Sequence, residues 1–292
     1  MTTRVEVDTL RSDPLSGDEI AAFARDGFLR IGRLLDDTQV EGLQSAVITA
    51  RARERARGEE HDLLDPALWP VDANKAALEP GKGVGFLFNL WLWELNFRAV
   101  TFAPVLARWA AQLVGSRQVR VLEDNVLYKE ARRGGELKWH QDFSYWPLAQ
   151  PNAVTMWIAL DDVTVENGAL RFAAGSHLLG ERLPAIFGTG TTYLNDQRAS
   201  LVREIGNPDG EGMSVQTMVL ARGEVSAHHA MTWHASGPND SDRPRRAYVV
   251  RYVGDGTIWL GERRYAYNYP DQQLGLAPGE PVSGPYFPVV PF

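Results

Sequence analysis

Val119-Arg120-Val121-Leu122-Glu123-Asp124-Asn125-Val126-Leu127-Tyr128 marks the point where the apolar pattern of the chain changes from a helical to a strand-like period. Before it, Phe102, Val105, Leu106, Trp109, Ala110 and Leu113 recur at three- and four-residue steps and stop at Gly115. That is the pattern of an amphipathic helix whose aromatic stripe faces a core. After it, residues 153–160, 169–172, 214–220, 224–228 and 246–253 read as strands, short and separated by Gly, Pro, Asn and Asp clusters. Glu166-Asn167-Gly168 reads as a tight hairpin turn. Many short strands with no helix between them imply a mainly β fold, an antiparallel barrel or double-sheet jelly roll, with flanking helices from the first half packed outside it.

Further from that junction, Ser16-Gly17-Asp18-Glu19 has the form of a capping box, and Gly27 is a natural terminator for the helix it opens. Phe28-Leu29-Arg30-Ile31 reads as a strand, and a second helix is expected from about Asp37 with Val40, Leu43 and Val47 on one face. Its basic end, Arg51-Ala52-Arg53-Glu54-Arg55-Ala56-Arg57, reads as a solvated helix terminus. Gly81, Gly83 and Gly85 lack the strand, Lys-Ser/Thr ending and helix of a phosphate loop, so residues 58–94 are expected to form a mobile loop. Residues 176–213 have the length and composition of a lid or binding loop. The proline-rich tail, 270–292, is too apolar to stay in water and is expected to fold back onto the barrel. No repeat or linker divides the chain. The expectation is one domain over 1–292, with a helical part at about 16–115 and a β core at about 119–253.

Composition narrows the function. A net charge of −7 disfavours nucleic acid and anionic membranes as partners, since both call for a basic surface. The absence of cysteine excludes disulfides, thiolate metal sites and Cys nucleophiles, and fits a reducing cytoplasm. No apolar run has the length of a bilayer span, and Met1-Thr2-Thr3-Arg4-Val5-Glu6-Val7-Asp8 has no signal-like core, so a cytoplasmic protein is expected.

The chemistry concentrates in Trp139-His140-Gln141-Asp142-Phe143 and in His228-His229-Ala230-Met231-Thr232-Trp233-His234. On a strand, His140 and Asp142 leave from one face. Completed by a distant imidazole, they form a 2-His-1-carboxylate triad, which holds Fe(II) and leaves positions open for oxygen chemistry. Of the six histidines, His61 reads as surface decoration and His177 as a turn-stabilising hydrogen-bond donor. His228, His229 and His234 all remain candidates for the third ligand, because spacing does not separate them. Downstream, Arg243-Pro244-Arg245-Arg246 opens an apolar strand, and an arginine aimed into a barrel needs an anionic partner. One or two of these three arginines are expected to be merely solvated.

Trp139-His140-Gln141-Asp142, Asn167-Gly168-Ala169-Leu170, Gly175-Ser176-His177 and His234-Ala235-Ser236-Gly237-Pro238-Asn239, followed by Arg245, together resemble the phytanoyl-CoA dioxygenase family. Asp26-Gly27-Phe28 is similar too, so the resemblance runs from about residue 16 to residue 253. It implies a double-stranded β-helix (jelly-roll, cupin-like) core and an Fe(II)- and 2-oxoglutarate-dependent oxygenase. It assigns His140, Asp142 and His234 as the catalytic metal ligands, and Arg245, eleven residues past the distal histidine, to the far carboxylate of 2-oxoglutarate. The same step from His229 reaches Asp240 and from His228 reaches Asn239, neither of which suits that role. By the same resemblance Trp157 and Ser236 line the 2-oxoglutarate pocket and Gln141 sits beside the iron. Ala235 departs from a glycine common in the family. The halogenating relatives lack the carboxylate that Asp142 supplies.

The implied reaction couples oxidative decarboxylation of 2-oxoglutarate by O₂, giving succinate and CO₂, to oxidation of a substrate C–H bond. Hydroxylation is the default outcome; desaturation, ring formation and epimerisation share its beginning. Phe143, Tyr145 and Trp146 are candidates for a substrate-facing aromatic wall, with Phe86, Phe88, Trp91 and Trp93 as candidates for its rim. They suggest a small organic metabolite or biosynthetic intermediate with apolar surface. Two rivals are a divalent-metal hydrolase or isomerase, which leaves Arg245 unexplained, and a non-catalytic binding jelly roll, which leaves both triad and arginine unexplained.

Overall fold

A computed structural model describes residues 9–57, 84–182, 205–261 and 274–292. In the first half stand α1 (Gly17–Asp26), β1 (Phe28–Arg33), α2 (Asp37–Arg57), β2 (Gly85–Phe88), α3 (Leu95–Thr101) and α4 (Pro104–Val114). Strands dominate thereafter: β3 (Val119–Lys129), β4 (Leu137–His140), β5 (Ala153–Ala159), β6 (Leu170–Ala173), β7 (Val215–Met218), β8 (Glu224–His229), β9 (His234–Ser236), β10 (Arg245–Gly254) and β11 (Val289–Val290).

Local chemistry sets the helix ends. Ser16 accepts from the Glu19 backbone N–H while the Glu19 carboxylate accepts from that of Ser16, so both halves of the capping box form. Gly27 closes α1 at φ 85°, and a Cβ there would lie 2.5 Å from both His177 Nδ1 and Thr232 Oγ1. Only glycine fits that corner. Pro104 starts α4 and Gly115 ends it, but the stripe does not begin at Phe102, which caps α3 instead.

The strands form two sheets, one ordered β1-β8-β5-β10-β3-β11 with β2 also on β3, the other ordered β4-β9-β6-β7. All the pairings within them are antiparallel. β5 is buried along its whole length because one face meets the helices and the other meets the second sheet. On β10, Tyr248, Val250 and Tyr252 join the helix-side core, whereas Ala247 and Val249 point between the sheets. A bulge leaves Leu122 without an opposite residue and shifts the parity of β3. Glu123 consequently lies opposite Arg251, Asn125 opposite Val249 and Lys129 opposite Arg245, all on the inner face.

Several expectations change. Asn167-Gly168 forms a turn closed by the Ala169 N–H on Thr164 O at 3.0 Å, but it joins strands of different sheets and is not a hairpin. Within the expected mobile loop, residues 58–83 lie outside the described residues, whereas β2 pairs with β3 and Trp91 enters the helix-side core. Trp91 is thus packing, not pocket rim, and Trp93 stacks under Arg53 at 4.1 Å. The basic helix end is not wholly solvated either, since Arg51 pairs with Glu130 and covers the Tyr128 ring. The tail lies back on the barrel: Leu274, Val282 and Phe287 pack beside Trp146, and β11 pairs with β3. Of the expected lid, residues 183–204 lie outside the described set.

Candidate active site

His140 ends β4 directly opposite His234, the first residue of β9. The ladder stops there, and the side-chain amide of Gln141 anchors the chain beyond it, donating to Met231 O at 2.8 Å and Gly180 O at 3.0 Å and accepting from Arg182 N at 2.7 Å. Asp142 adopts helical dihedrals, φ −62° and ψ −40°, and opens the 3₁₀ turn Phe143–Tyr145. The expected strand alternation does not bring His140 and Asp142 together; a strand end and a pinned turn do.

One ligand atom each from His140, Asp142 and His234 lies within 4.8 Å of the others, and all three residues are buried. The His140 Nδ1–H donates to Lys138 O at 2.7 Å and the His234 Nδ1–H to Thr232 O at 2.9 Å, which turns both Nε2 atoms toward the centre. Burial, then the neighbouring histidine, lowers the pKa of His140 to about 3 and that of His234 to about 4. Burial would raise that of Asp142, but Arg251, then His234 and His228, hold it well below the usual carboxylate range. Two neutral imidazoles and one carboxylate, all buried, form a donor set for a divalent transition metal.

His228 and His229 part by strand alternation. His228 faces inward and touches Asp142 Oδ2 at 3.3 Å, outside the ligand group. His229 faces α1, accepts from Met231 N and lies 5.4 Å from the His177 ring. His177 bonds Ala24 O at 3.1 Å, so it fastens α1 to the barrel. His61 lies outside the described residues.

Two buried basic side chains meet where β10 begins and β3 ends. Arg245 is 1% exposed, yet its guanidinium has a single hydrogen bond to the protein among the described residues, Nη2 to Gly168 O at 3.0 Å, and Nε is buried without a partner. Burial lowers its pKa to about 10, which leaves it charged at neutral pH. Its guanidinium lies 5.5 Å from the centre of the Trp157 ring. Beside it Lys129, absent from the sequence-based set, donates to Ser236 Oγ at 2.8 Å and to Gly237 O. Burial, then Arg245, pushes the Lys129 pKa down to about 6. A lysine closing an apolar strand was the available signal. Of the other arginines, Arg246 pairs with Asp161 at 2.6 Å and Arg243 is exposed.

Among the aromatic candidates, Tyr145 sets its ring edge-on to His140 at 6.1 Å. Phe143 and Trp146 pack into the cluster under the C-terminal tail. Phe86 and Phe88 stack at 5.6 Å, and Phe86 borders the core between the sheets.

A sequence model of the phytanoyl-CoA dioxygenase family matches residues 23–247. The phytanoyl-CoA dioxygenase domain-containing protein 1 of Bos taurus is 34% identical over 282 residues, 84% of this chain and 92% of the relative. An ectoine dioxygenase of Bordetella bronchiseptica is 29% identical over 254 residues, 82% and 76% of the two chains. Among solved structures, the epimerase SnoN in complex with Fe³⁺, alpha ketoglutarate and nogalamycin RO superposes with a TM-score of 0.69 at 26% identity, covering 94% of this chain and 97% of the other.

Proposed function

Because the chain belongs to the phytanoyl-CoA dioxygenase family of Fe(II)- and 2-oxoglutarate-dependent oxygenases, we propose that His140, Asp142 and His234 hold the iron and Arg245 receives the far carboxylate of 2-oxoglutarate. The enzyme is an oxidoreductase that oxidises a C–H bond of a small organic molecule and releases succinate and CO₂. One observation carries the residue assignment: three neutral-or-anionic ligand atoms within 4.8 Å of one another, in a seam that also contains an arginine whose buried Nε has no partner.

Iron bound by those ligands, with 2-oxoglutarate and O₂, supplies the oxidising power for C–H cleavage. The chain's own residues bind, orient and exclude water. The backbone carbonyls of Lys138 and Thr232 fix the imidazole tautomers, so neither histidine needs to lose a proton before ligating. Arg245 offers a planar fork to a carboxylate, Ser236 and Lys129 flank it, and Trp157 walls the channel. Gln141 pins the turn that carries Asp142. Tyr145 stands at the metal as a substrate-facing ring, with Phe143 and Trp146 packed behind it. A small metabolite or biosynthetic intermediate suits this wall; the Bordetella relative is named for ectoine, and SnoN for epimerisation. The net charge of −7 and the lack of cysteine support a cytoplasmic setting without nucleic-acid or membrane partners.

Anaerobic addition of Fe(II) and 2-oxoglutarate tests the assignment through the weak visible charge-transfer band of the chelate. Wild type and His229→Ala should show the band, whereas His234→Ala and Arg245→Ala should lose or weaken it. Iron binding without a band in wild type would refute the cosubstrate role.

A further inference from the structure

We propose that Thr155 and His228, backed by Arg251, are positioning residues that engage Oδ2 of Asp142 and leave Oδ1 as the one carboxylate oxygen turned to the metal. The inference rests on the reading of Asp142 as a metal ligand.

The two oxygens of Asp142 have different surroundings. Oδ2 accepts from Thr155 Oγ1 at 2.7 Å and from His228 Nε2 at 3.3 Å, with Arg251 Nε at 3.6 Å. Oδ1 makes none of these contacts and lies 3.6 Å from Nε2 of His234, the second histidine of the triad. The three groups around Oδ2 come from a single rung of the large sheet: His228 is opposite Thr155, Thr155 opposite Arg251, and Arg251 opposite Glu123. A rung on four paired strands is rigid support for a carboxylate that itself sits on a turn.

The chemistry of the rung suits a ligand more than an ion pair. His228 Nδ1 is buried without a hydrogen-bond partner, so the neutral ring carries its proton on Nε2 and presents a donor to Asp142. Arg251 pairs with Glu123 at 3.1 Å, which holds its guanidinium in place beside Oδ2 rather than over Oδ1. Thr155 supplies the shortest contact and has no charge. Oδ2 thus receives directional donors while Asp142 keeps its anionic character for the metal. A carboxylate that closed on the metal with both oxygens would take up a position that the cosubstrate or O₂ needs.

The test uses the full chain and Co(II), whose d–d absorption reports affinity and coordination number. Thr155→Val and His228→Leu, folded with wild-type far-UV circular dichroism, should each weaken Co(II) binding by ~10- to 100-fold, the range for losing such a partner. Both should alter the d–d spectrum and weaken 2-oxoglutarate binding at saturating metal. Thr155→Ser, which keeps the hydroxyl, and His228→Gln, which keeps an N–H donor, should recover affinity and spectrum. Wild-type Co(II) affinity and spectrum in folded Thr155→Val and His228→Leu would overturn the proposal, as would a failure of Thr155→Ser to recover what Thr155→Val loses. If wild type takes up no Co(II), the assignment of Asp142 as a ligand fails, and this inference with it.

Discussion

Binding of 2-oxoglutarate should take up a proton at Lys129. In the ligand-free fold, burial and the adjacent Arg245 hold the Lys129 pKa at about 6, so the amine is mostly neutral at physiological pH. A carboxylate entering between Lys129 and Arg245 favours the charged amine and raises that pKa. For a group with a higher pKa in the complex, affinity is greatest below the free pKa and falls as pH rises through the interval between the two. Each pH unit in that interval corresponds to about 1.4 kcal/mol, a tenfold change in Kd. Because about half the amine is already charged at pH 6, the expected weakening from pH 6 to pH 8 is roughly 50-fold if the bound pKa exceeds 8. Other groups at the site are quiet in that window, since His140 and His234 titrate at about 3 and about 4 and Arg245 at about 10. Anaerobic calorimetry on the metal-loaded protein measures both quantities, Kd against pH and, in two buffers of different ionisation enthalpy, the proton uptake. Lys129→Met should bind with a flat pH profile and no uptake. A flat wild-type profile, or the same slope in Lys129→Met, would refute the reasoning.

Arg245→Met should raise the Kd for 2-oxoglutarate by ~100-fold or more, since two charge-assisted hydrogen bonds of about 1.5–3 kcal/mol each are lost, while Co(II) affinity in the absence of 2-oxoglutarate stays near wild type. Gly168→Ala places a Cβ 2.5 Å from Gly237 O at a φ of +83° and disturbs the carbonyl that holds Arg245. It should cost about 1–3 kcal/mol of stability and weaken 2-oxoglutarate binding; an unchanged melting temperature and Kd would contradict that. Asn125 is fully buried on the inner face with both amide atoms unpartnered among the described residues. Asn125→Leu should therefore raise the melting temperature of ligand-free protein by a few degrees, the counterpart of about 1 kcal/mol, and a lowered value would mean that the amide is satisfied after all.

What the sequence determined by itself is local or periodic. The capping box spans Ser16 to Glu19, so its partners are neighbours along the chain and its chemistry is fully written there. The strands at residues 153–160 and 246–253 announce themselves by apolar runs that match β5 and β10 to within about one residue, the usual uncertainty of an element end. The His-x-Asp motif and the arginine eleven residues beyond His234 named the chemistry through a resemblance in residue type and order. Tertiary structure decided the rest through contacts remote in sequence. Where the alternation was expected to continue, the chain turns, and the Gln141 side chain anchors that turn to Met231, ninety residues away. The Asn167-Gly168 turn crosses between sheets because β6 pairs with β9 and β7, not β5. The choice among His228, His229 and His234 lay in which strand face met which sheet, and a bulge at Leu122 turned Glu123 and Lys129 inward. A strand's period gives two faces but not their environments; only the partner sheet and the helices outside it determine which face carries the candidate metal ligands and which holds the core.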